Sequence, residues 1–400
     1  MKIVFLSIWF SEGMGYAENC LPKSLAKLGH EVHVISSVCQ VYYNQPYYDS
    51  VYRNFLGDPI KKPGIKELDG YTLHLLPFGT IFNKIYLKKL SEEIKTINPD
   101  IVQTFDAFSF LTLQATILKF TNNYKLFTAN HVVASIFPLM QEKRGNIFYW
   151  VANLFMRYIP GKLVSLSSSR CYPATSDAIE VAVKYYGVPR KKTKLACLGV
   201  DTDKFIPVND DQKYIDERAR NRDALGIDKE TILCIYTGRF TNAKNPLILA
   251  QAINILNQKQ LNYKGLFLGE GPQAEDIRLM EGCLIKPFVM YNYLAEFYRI
   301  ADIGIWPQQE STSMLDASAS GLPIIVSNRV QALERIEGNG ITYNEGDVNS
   351  MVESLKKLSD KDFRKKLGEA GTKKILEKYS WDKIARERVE DYEYFISSDK

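Results

Sequence analysis

Cysteine is sparse and scattered in this 400-residue chain. Its six cysteines, Cys20, Cys39, Cys171, Cys197, Cys234 and Cys283, never fall within four residues of one another. That spacing excludes a CxxC redox or zinc motif and points to buried thiols in a reducing compartment. Long apolar runs are missing too: no stretch reaches the roughly 18 uninterrupted apolar residues that a membrane-spanning helix needs. The opening MKIVFLSIWF has one lysine and no small-residue cleavage site behind its apolar run, so it reads as a buried first strand rather than a secretory signal. A cytoplasmic chain is expected. Nothing signals disorder or a fibre, because 46% apolar and 24% charged residues lie close to the globular average. At about 150 residues per domain the length allows two or three domains, each with its own core.

The net charge of +5 hides an asymmetry. Residues 1–200 carry 23 Lys and Arg against 14 Asp and Glu, whereas residues 201–400 carry 28 against 32. The excess is concentrated in residues 101–200, with 12 bases and 4 acids. Two domains with different partners follow, the basic one suited to an anionic surface or a phosphorylated acceptor. Solvated lysines without a partner are the alternative.

Short β-branched runs alternate with helical patterns, which predicts parallel sheets with helical crossovers. Strands are expected at 2–8, 31–37, 72–78, 101–105, 125–129 and 171–174, then at 232–237, 265–269, 302–306 and 323–327. The fold class is therefore α/β: two Rossmann-like, doubly wound domains facing across a cleft. The polar stretch 208–230 reads as the boundary. The expected divisions are 1–205, 206–380 and a C-terminal helix, 381–400, that packs back on the first domain. Ligands of such folds bind on loops at the carboxyl ends of strands.

Two segments offer chemistry there. In YTGRFTNAKN a buried strand ends at Gly238, Arg239 follows, and Lys244 stands just before a helix that Asn245 caps with Pro246 at its first position. Two cations beside a helix start suit a diphosphate; an ordinary basic surface loop is the alternative. In WPQQESTSMLDASASGLPIIVS a polar run, Gln308 to Ser313, follows a strand end and leads into a short helix carrying Asp316. A carboxylate there can accept both hydroxyls of a ribose.

Together these residues resemble family 4 glycosyltransferases of the two-domain GT-B fold. GMGYAENCLPKSLAKLGHEVHVIS, PDIVQTFDAF, ATSDAIEVAVKYYGVP, LGVDTDKFIP, LGEGP and YSWDKIARERV stand in the family's order and approximate spacing, so the resemblance covers nearly the whole chain. It implies that Arg239 and Lys244 neutralise a departing nucleotide diphosphate, and that Asp316, the second acid of an E-x7-E element, holds the ribose. The first acid departs from the pattern. Gln308 stands eight residues before Asp316 and Glu310 only six, so either Gln308 replaces it or a shortened loop brings Glu310 beside the donor sugar; Glu310 is the preferred reading. His131, in FTANHVV, matches a histidine that hydrogen-bonds the sugar. Gly13 and Gly15 let the backbone approach the donor, as Gly238, Ser311, Thr312 and Ser313 do in the second domain.

The activity implied is a retaining, metal-independent hexosyltransferase acting on a nucleotide-diphosphate sugar and a glycan or lipid-linked acceptor in surface polysaccharide synthesis. No cofactor or metal and no nucleic-acid partner is expected. Asp201-Thr202-Asp203 spells a metal-binding DxD, but it lies in the segment leading out of the first domain. A nucleotide-sugar epimerase on the same scaffold, for which four histidines supply few further acid or base groups, and a silent nucleotide-sugar-binding subunit are the alternatives. Residues 135–162 mix aromatics with Lys143, Arg144, Arg157 and Lys162. Their apolar part, 147–159, either lies in the interface of an anionic membrane, making the protein peripheral, or packs as core.

Overall fold

A computed structural model describes residues 1–134, 137–140, 143, 145–209, 211–330 and 333–398. The chain forms two compact units. One holds Met1–Tyr48, Leu56–Leu198 and Trp381–Lys400, the other Asp49–Phe55 and Gly199–Ser380.

The first unit is built on a seven-stranded sheet. In chain order its strands are β1 (Lys2–Ser7), β2 (Glu31–Ser37), β3 (Gly64–Leu68), β4 (Tyr71–Leu76), β7 (Ile101–Thr104), β8 (Lys125–Asn130) and β9 (Arg170–Pro173), and a separate hairpin pairs β5 (Phe78–Ile81) with β6 (Lys84–Leu87). The spatial order is β3-β4-β2-β1-β7-β8-β9. All pairings are parallel except that of the edge strand β3 with β4. Ile3, Val4, Phe5 and Leu6 are all buried, as a central strand covered on both faces requires. Pro77 divides the expected 72–78 strand, since proline cannot donate to the ladder, and β5 starts anew beyond it.

The helix Trp381–Ser397 belongs to this first unit. Asp382 accepts from Ser24 Oγ (2.7 Å), and Asp391 accepts from Arg170 and from Lys194 Nζ (2.9 Å). Arg388 lies 3.3 Å over the Tyr172 ring and donates to Gln103 Oε1 of β7 (3.1 Å).

The second unit has a six-stranded, all-parallel sheet. Its strands are β10 (Ile232–Thr237), β11 (Tyr263–Leu268), β12 (Cys283–Lys286), β13 (Ile303–Trp306), β14 (Ile324–Ser327) and β15 (Gly340–Tyr343), in the order β12-β11-β10-β13-β14-β15. The polar stretch 208–230 is not a linker between units. It carries the helix Gln212–Ala224 inside the second one, and two of its arginines serve the sheet: Arg218 and Arg222 both pair with Asp302 at the foot of β13 (2.7 and 3.1 Å). Such charged side chains look solvated in sequence, but here Arg222 is buried and Arg218 and Asp302 partly so, each with a partner of opposite charge. Among the described residues no helix is long and apolar enough to cross a membrane.

Each sheet has one place where the chain stops adding strands on one side and begins on the other. In the first unit this lies between β1 and β7, in the second between β10 and β13. Loops leaving the carboxyl ends of two such strands diverge, opening a crevice between them.

Candidate active site

The second unit's crevice collects most of the residues singled out from sequence. The loop after β10 carries Gly238, Arg239 and Lys244; the loop and helix after β13 carry Glu310, Ser311, Thr312, Ser313 and Asp316. Side-chain bonds tie the two strand ends together. Trp306 Nε1 donates to the Thr237 carbonyl (3.2 Å), and Thr237 Oγ1 shares a hydrogen bond with Tyr298 Oη (2.8 Å).

Arg239 is fixed through its backbone. Its carbonyl accepts from Tyr236 Oη (2.9 Å), and the flanking amides extend the parallel ladder into the loops, Gly238 N to Leu268 O (3.0 Å) and Phe240 N to Glu270 O (2.8 Å). The segment LGEGP is thus the partner of the arginine loop. Gly269, at φ +148°, is required for this approach, because a Cβ there would stand 1.9 Å from the Gly238 carbonyl oxygen. Neither cation's side chain forms an ion pair among the described residues. Burial, and next to it the Arg239 guanidinium, push the Lys244 ammonium down to about 8. Two cations held together without a counter-ion form a site that an anion would relieve.

The cap differs from the sequence expectation. Asn245 does not cap the helix Leu247–Gln258; it sits in the left-handed region at φ +46°, and Pro246 occupies the cap position. The buried Gln273 takes over instead. Its Oε1 accepts from Leu247 N (3.4 Å) and its Nε2 donates to Asn242 Oδ1 (3.1 Å), which ties the lysine loop to the segment after LGEGP. Nothing local to Asn245 in the sequence signals this long-range substitution.

On the other wall, Asp316 is buried in the helix Ser313–Ala319. Burial raises its carboxyl far above the usual range, and Asp201 raises it further against the opposing pull of Lys204. Asp201, the first residue of the DxD, therefore belongs to the surroundings of Asp316. Glu310 lies 3.7 Å from Arg335, a buried guanidinium. The Ser311 and Ser313 hydroxyls bond one another (2.7 Å), and Thr312 precedes the helix as its cap residue without a side-chain cap bond.

In the first unit, Gly13 and Gly15 lie in the loop between β1 and the helix Ala17–Lys27, Gly15 at φ +63°. His131 directly follows β8 and packs against Phe105. Burial, with a smaller contribution from Arg388, holds its imidazole down to about 4, so it is neutral at physiological pH. Two residues not singled out from sequence join this edge. Glu18, in the first turn after the β1 loop, is raised to about 7 by burial and by Asp106, and Asp106, after β7, is raised by burial to about 6. They flank this sheet's own switch point. The signal of Asp106, an acid two residues past a strand end in PDIVQTFDAF, is too common to stand out.

The comparisons with known proteins follow this division. The family described as Glycosyltransferase Family 4 matches residues 21–204, and that described as Glycosyl transferases group 1 matches residues 217–374. The chain belongs to the family 4 glycosyltransferases. The chain is 26% identical over 243 residues to an uncharacterized glycosyltransferase of Methanocaldococcus jannaschii, covering 58% of this chain and 61% of that one. A D-inositol 3-phosphate glycosyltransferase of Xylanimonas cellulosilytica is 25% identical over 59% of each chain. The matched stretch thus spans about three fifths of these curated relatives. Among solved structures, sucrose-phosphate synthase from Thermosynechococcus elongatus superimposes with a TM-score of 0.71 over 100% of both chains at 15% identity. HepE from Anabaena, in complex with UDP, does so with 0.66 over 100% of both chains at 14%. The chain has the GT-B fold.

Proposed function

We propose that this protein is a retaining glycosyltransferase that moves a sugar from a nucleoside-diphosphate donor to an acceptor hydroxyl of a glycan or lipid-linked oligosaccharide. The observation that carries the reading is the cation pair Arg239 and Lys244, half-buried at the switch point of the second sheet and, among the described residues, without an ion-pair partner. As the glycosidic bond to phosphate breaks, the sugar becomes oxocarbenium-like and the diphosphate gains negative charge. Arg239 can bind that diphosphate through two nitrogens, and Lys244 acts as a point charge. Charge stabilisation fixed in advance of the reaction needs no reorganisation during it, and a metal is not required for it.

Asp316 takes the ribose hydroxyls in this reading. Its two carboxyl oxygens can accept from both hydroxyls of a diol. Glu310, held by Arg335, takes the sugar hydroxyls, and Ser311 to Ser313 with the Gly238 backbone line the donor. His131 serves as a neutral hydrogen-bonding group toward sugar rather than as a base, since its proton affinity is too low for efficient proton abstraction near pH 7. Gly13 and Gly15 leave room for close backbone approach. The Anabaena neighbour's complex with UDP supports a nucleotide donor, and the inositol-phosphate relative supports a hydroxylated, charged acceptor.

The test begins with a thermal-shift panel of UDP-, GDP- and ADP-sugars. A ligand at 100 times its dissociation constant should stabilise the protein by about 2.7 kcal/mol. The preferred donor, radiolabelled, is then incubated with glycan and lipid-linked acceptors. Label in the acceptor supports the proposal, an interconverted free donor indicates an epimerase, and binding without turnover indicates a silent subunit.

A further inference from the structure

Residues 147–167 form one unbroken helical run composed of a helix Ile147–Asn153, a π-helical turn Leu154–Tyr158 and a helix Ile159–Ser167. Its two faces are reversed with respect to an ordinary surface helix, which turns its apolar stripe to the core. The inward face is largely small or polar. Asn153 Nδ2 donates to the Tyr185 carbonyl (3.1 Å), and Gly161 lies so close to the Tyr186 carbonyl that a Cβ would stand 2.2 Å from its oxygen. Arg157 stacks over the Phe137 ring at 5.4 Å and so is not part of an outer basic rim. Arg144 lies outside the described residues, as do 135, 136, 141 and 142.

The outward face carries Ile147, Val151, Phe155, Ile159 and Leu163, all exposed, with Phe155 at 63%. These five stand four residues apart. On a regular α-helix each step of four overshoots a turn by roughly 40°, so the stripe would wind by about 160° along its length. The wider π-turn in the middle absorbs about one extra residue and returns most of that drift. The bulge therefore keeps five apolar side chains on one exposed line.

The end of this helix is ringed by lysines. Lys119 Nζ donates to the Ser167 carbonyl (2.6 Å) and Lys192 Nζ to the Ser168 carbonyl (2.6 Å). Lys119, Lys191 and Lys162 are near enough to Lys192 to oppose its charge. An apolar ridge running from Ile147 to Leu163, about 24 Å long at 1.5 Å per residue, is thus joined to a cluster of four cations. A protein partner or a second copy would have to supply both an apolar groove and an acidic patch. An anionic lipid surface offers both at once, acyl chains beneath phosphate headgroups.

We propose that the outer face of residues 147–167 docks the protein in the interface of an anionic bilayer, its apolar ridge between the headgroups and Lys162 and Lys191 at lipid phosphates. The surface is longer than the apolar part read from sequence, because the second helix continues it to Leu163 and beyond. It is independent of the transfer chemistry, and lipid binding is read without turnover.

The test is flotation of the full chain with vesicles of phosphatidylcholine alone and of phosphatidylcholine mixed with phosphatidylglycerol. The expected result is co-flotation with the mixed vesicles that weakens with added salt. Phe155→Ser with Leu163→Ser, and separately Lys162→Glu with Lys191→Glu, should each reduce binding about tenfold or more at unchanged melting temperature, since the replaced side chains are exposed. Absence of binding to the mixed vesicles overturns the proposal. So does binding that neither pair of substitutions lowers, or a vesicle-free dimer in sedimentation that the Phe155→Ser, Leu163→Ser variant abolishes.

Discussion

Arg239 and Lys244 are five residues apart in sequence, and the guanidinium of the first lowers the proton affinity of the second. In the proposed role Arg239 makes a bidentate diphosphate contact, which Arg239→Ala removes. Turnover should fall by on the order of 100-fold or more while the fold is retained, because the loop is anchored by its backbone bonds to LGEGP. A steady-state rate near that of the wild type would dismiss the assignment.

In the proposed role the same pair makes nucleotide binding a proton-linked event. At pH 8 the Lys244 ammonium of the free protein is about half protonated, and a bound diphosphate draws it back toward full protonation. Binding should take up as much as about half a proton at that pH and weaken as pH rises further, since the bound state holds more protons than the free one. Calorimetry in buffers of different ionisation enthalpy reads this uptake. It should vanish in Lys244→Met.

Asp316 and Asp201 raise a second linkage. The Asp316 carboxyl is held far above its unfolded value by burial, so the native chain retains a proton that the unfolded chain releases. Its contribution to stability is present at low pH and declines as pH rises. Asp316→Asn removes that decline and should raise the melting temperature at neutral pH. The same variant should weaken nucleotide-sugar binding several-fold, in keeping with a ribose contact. Thermal melts with and without donor separate the two effects; unchanged donor affinity would remove Asp316 from the site.

Glu18 behaves in the same sense within the first unit. Its folded value of about 7 lies above the ordinary carboxyl value, so the native state holds more protons between those limits and stability falls as pH rises through them. Glu18→Gln should raise the melting temperature at pH 8 and change it little at pH 5. A gain of equal size at both pH values would show that charge on Glu18 is not what the fold resists.

Much of this architecture was legible in the chain. A buried parallel strand shows itself as an unbroken apolar run, and β1 and β10 stand where those runs predict, at Lys2–Ser7 and Ile232–Thr237. Less visible were β3, β12 and β15: β3 is largely exposed and β12 only partly buried, while β15 is a short strand opening on glycine, so none presents a long apolar run. The candidate loop residues were legible because Gly238 and Arg239 follow a strand end directly, and ligands of such folds bind at strand ends.

Strand order, however, belongs to the tertiary fold. Pairing β10 with β13, rather than leaving β13 far along the chain, brings the Arg239 loop and the Asp316 helix to one crevice, and the approach of Gly269 to Gly238 lets the LGEGP backbone hold that arginine loop in place. The charges followed the same division. Sequence counts a lysine or an aspartate as one elementary charge, but burial and neighbours set whether it keeps its proton. Local spacing specified the elements and their polarity, because those depend on a few adjacent residues. Proton affinities, the substitution of Gln273 for Asn245 as cap, and the outward turn of residues 147–167 depend on what packs alongside from distant parts of the chain.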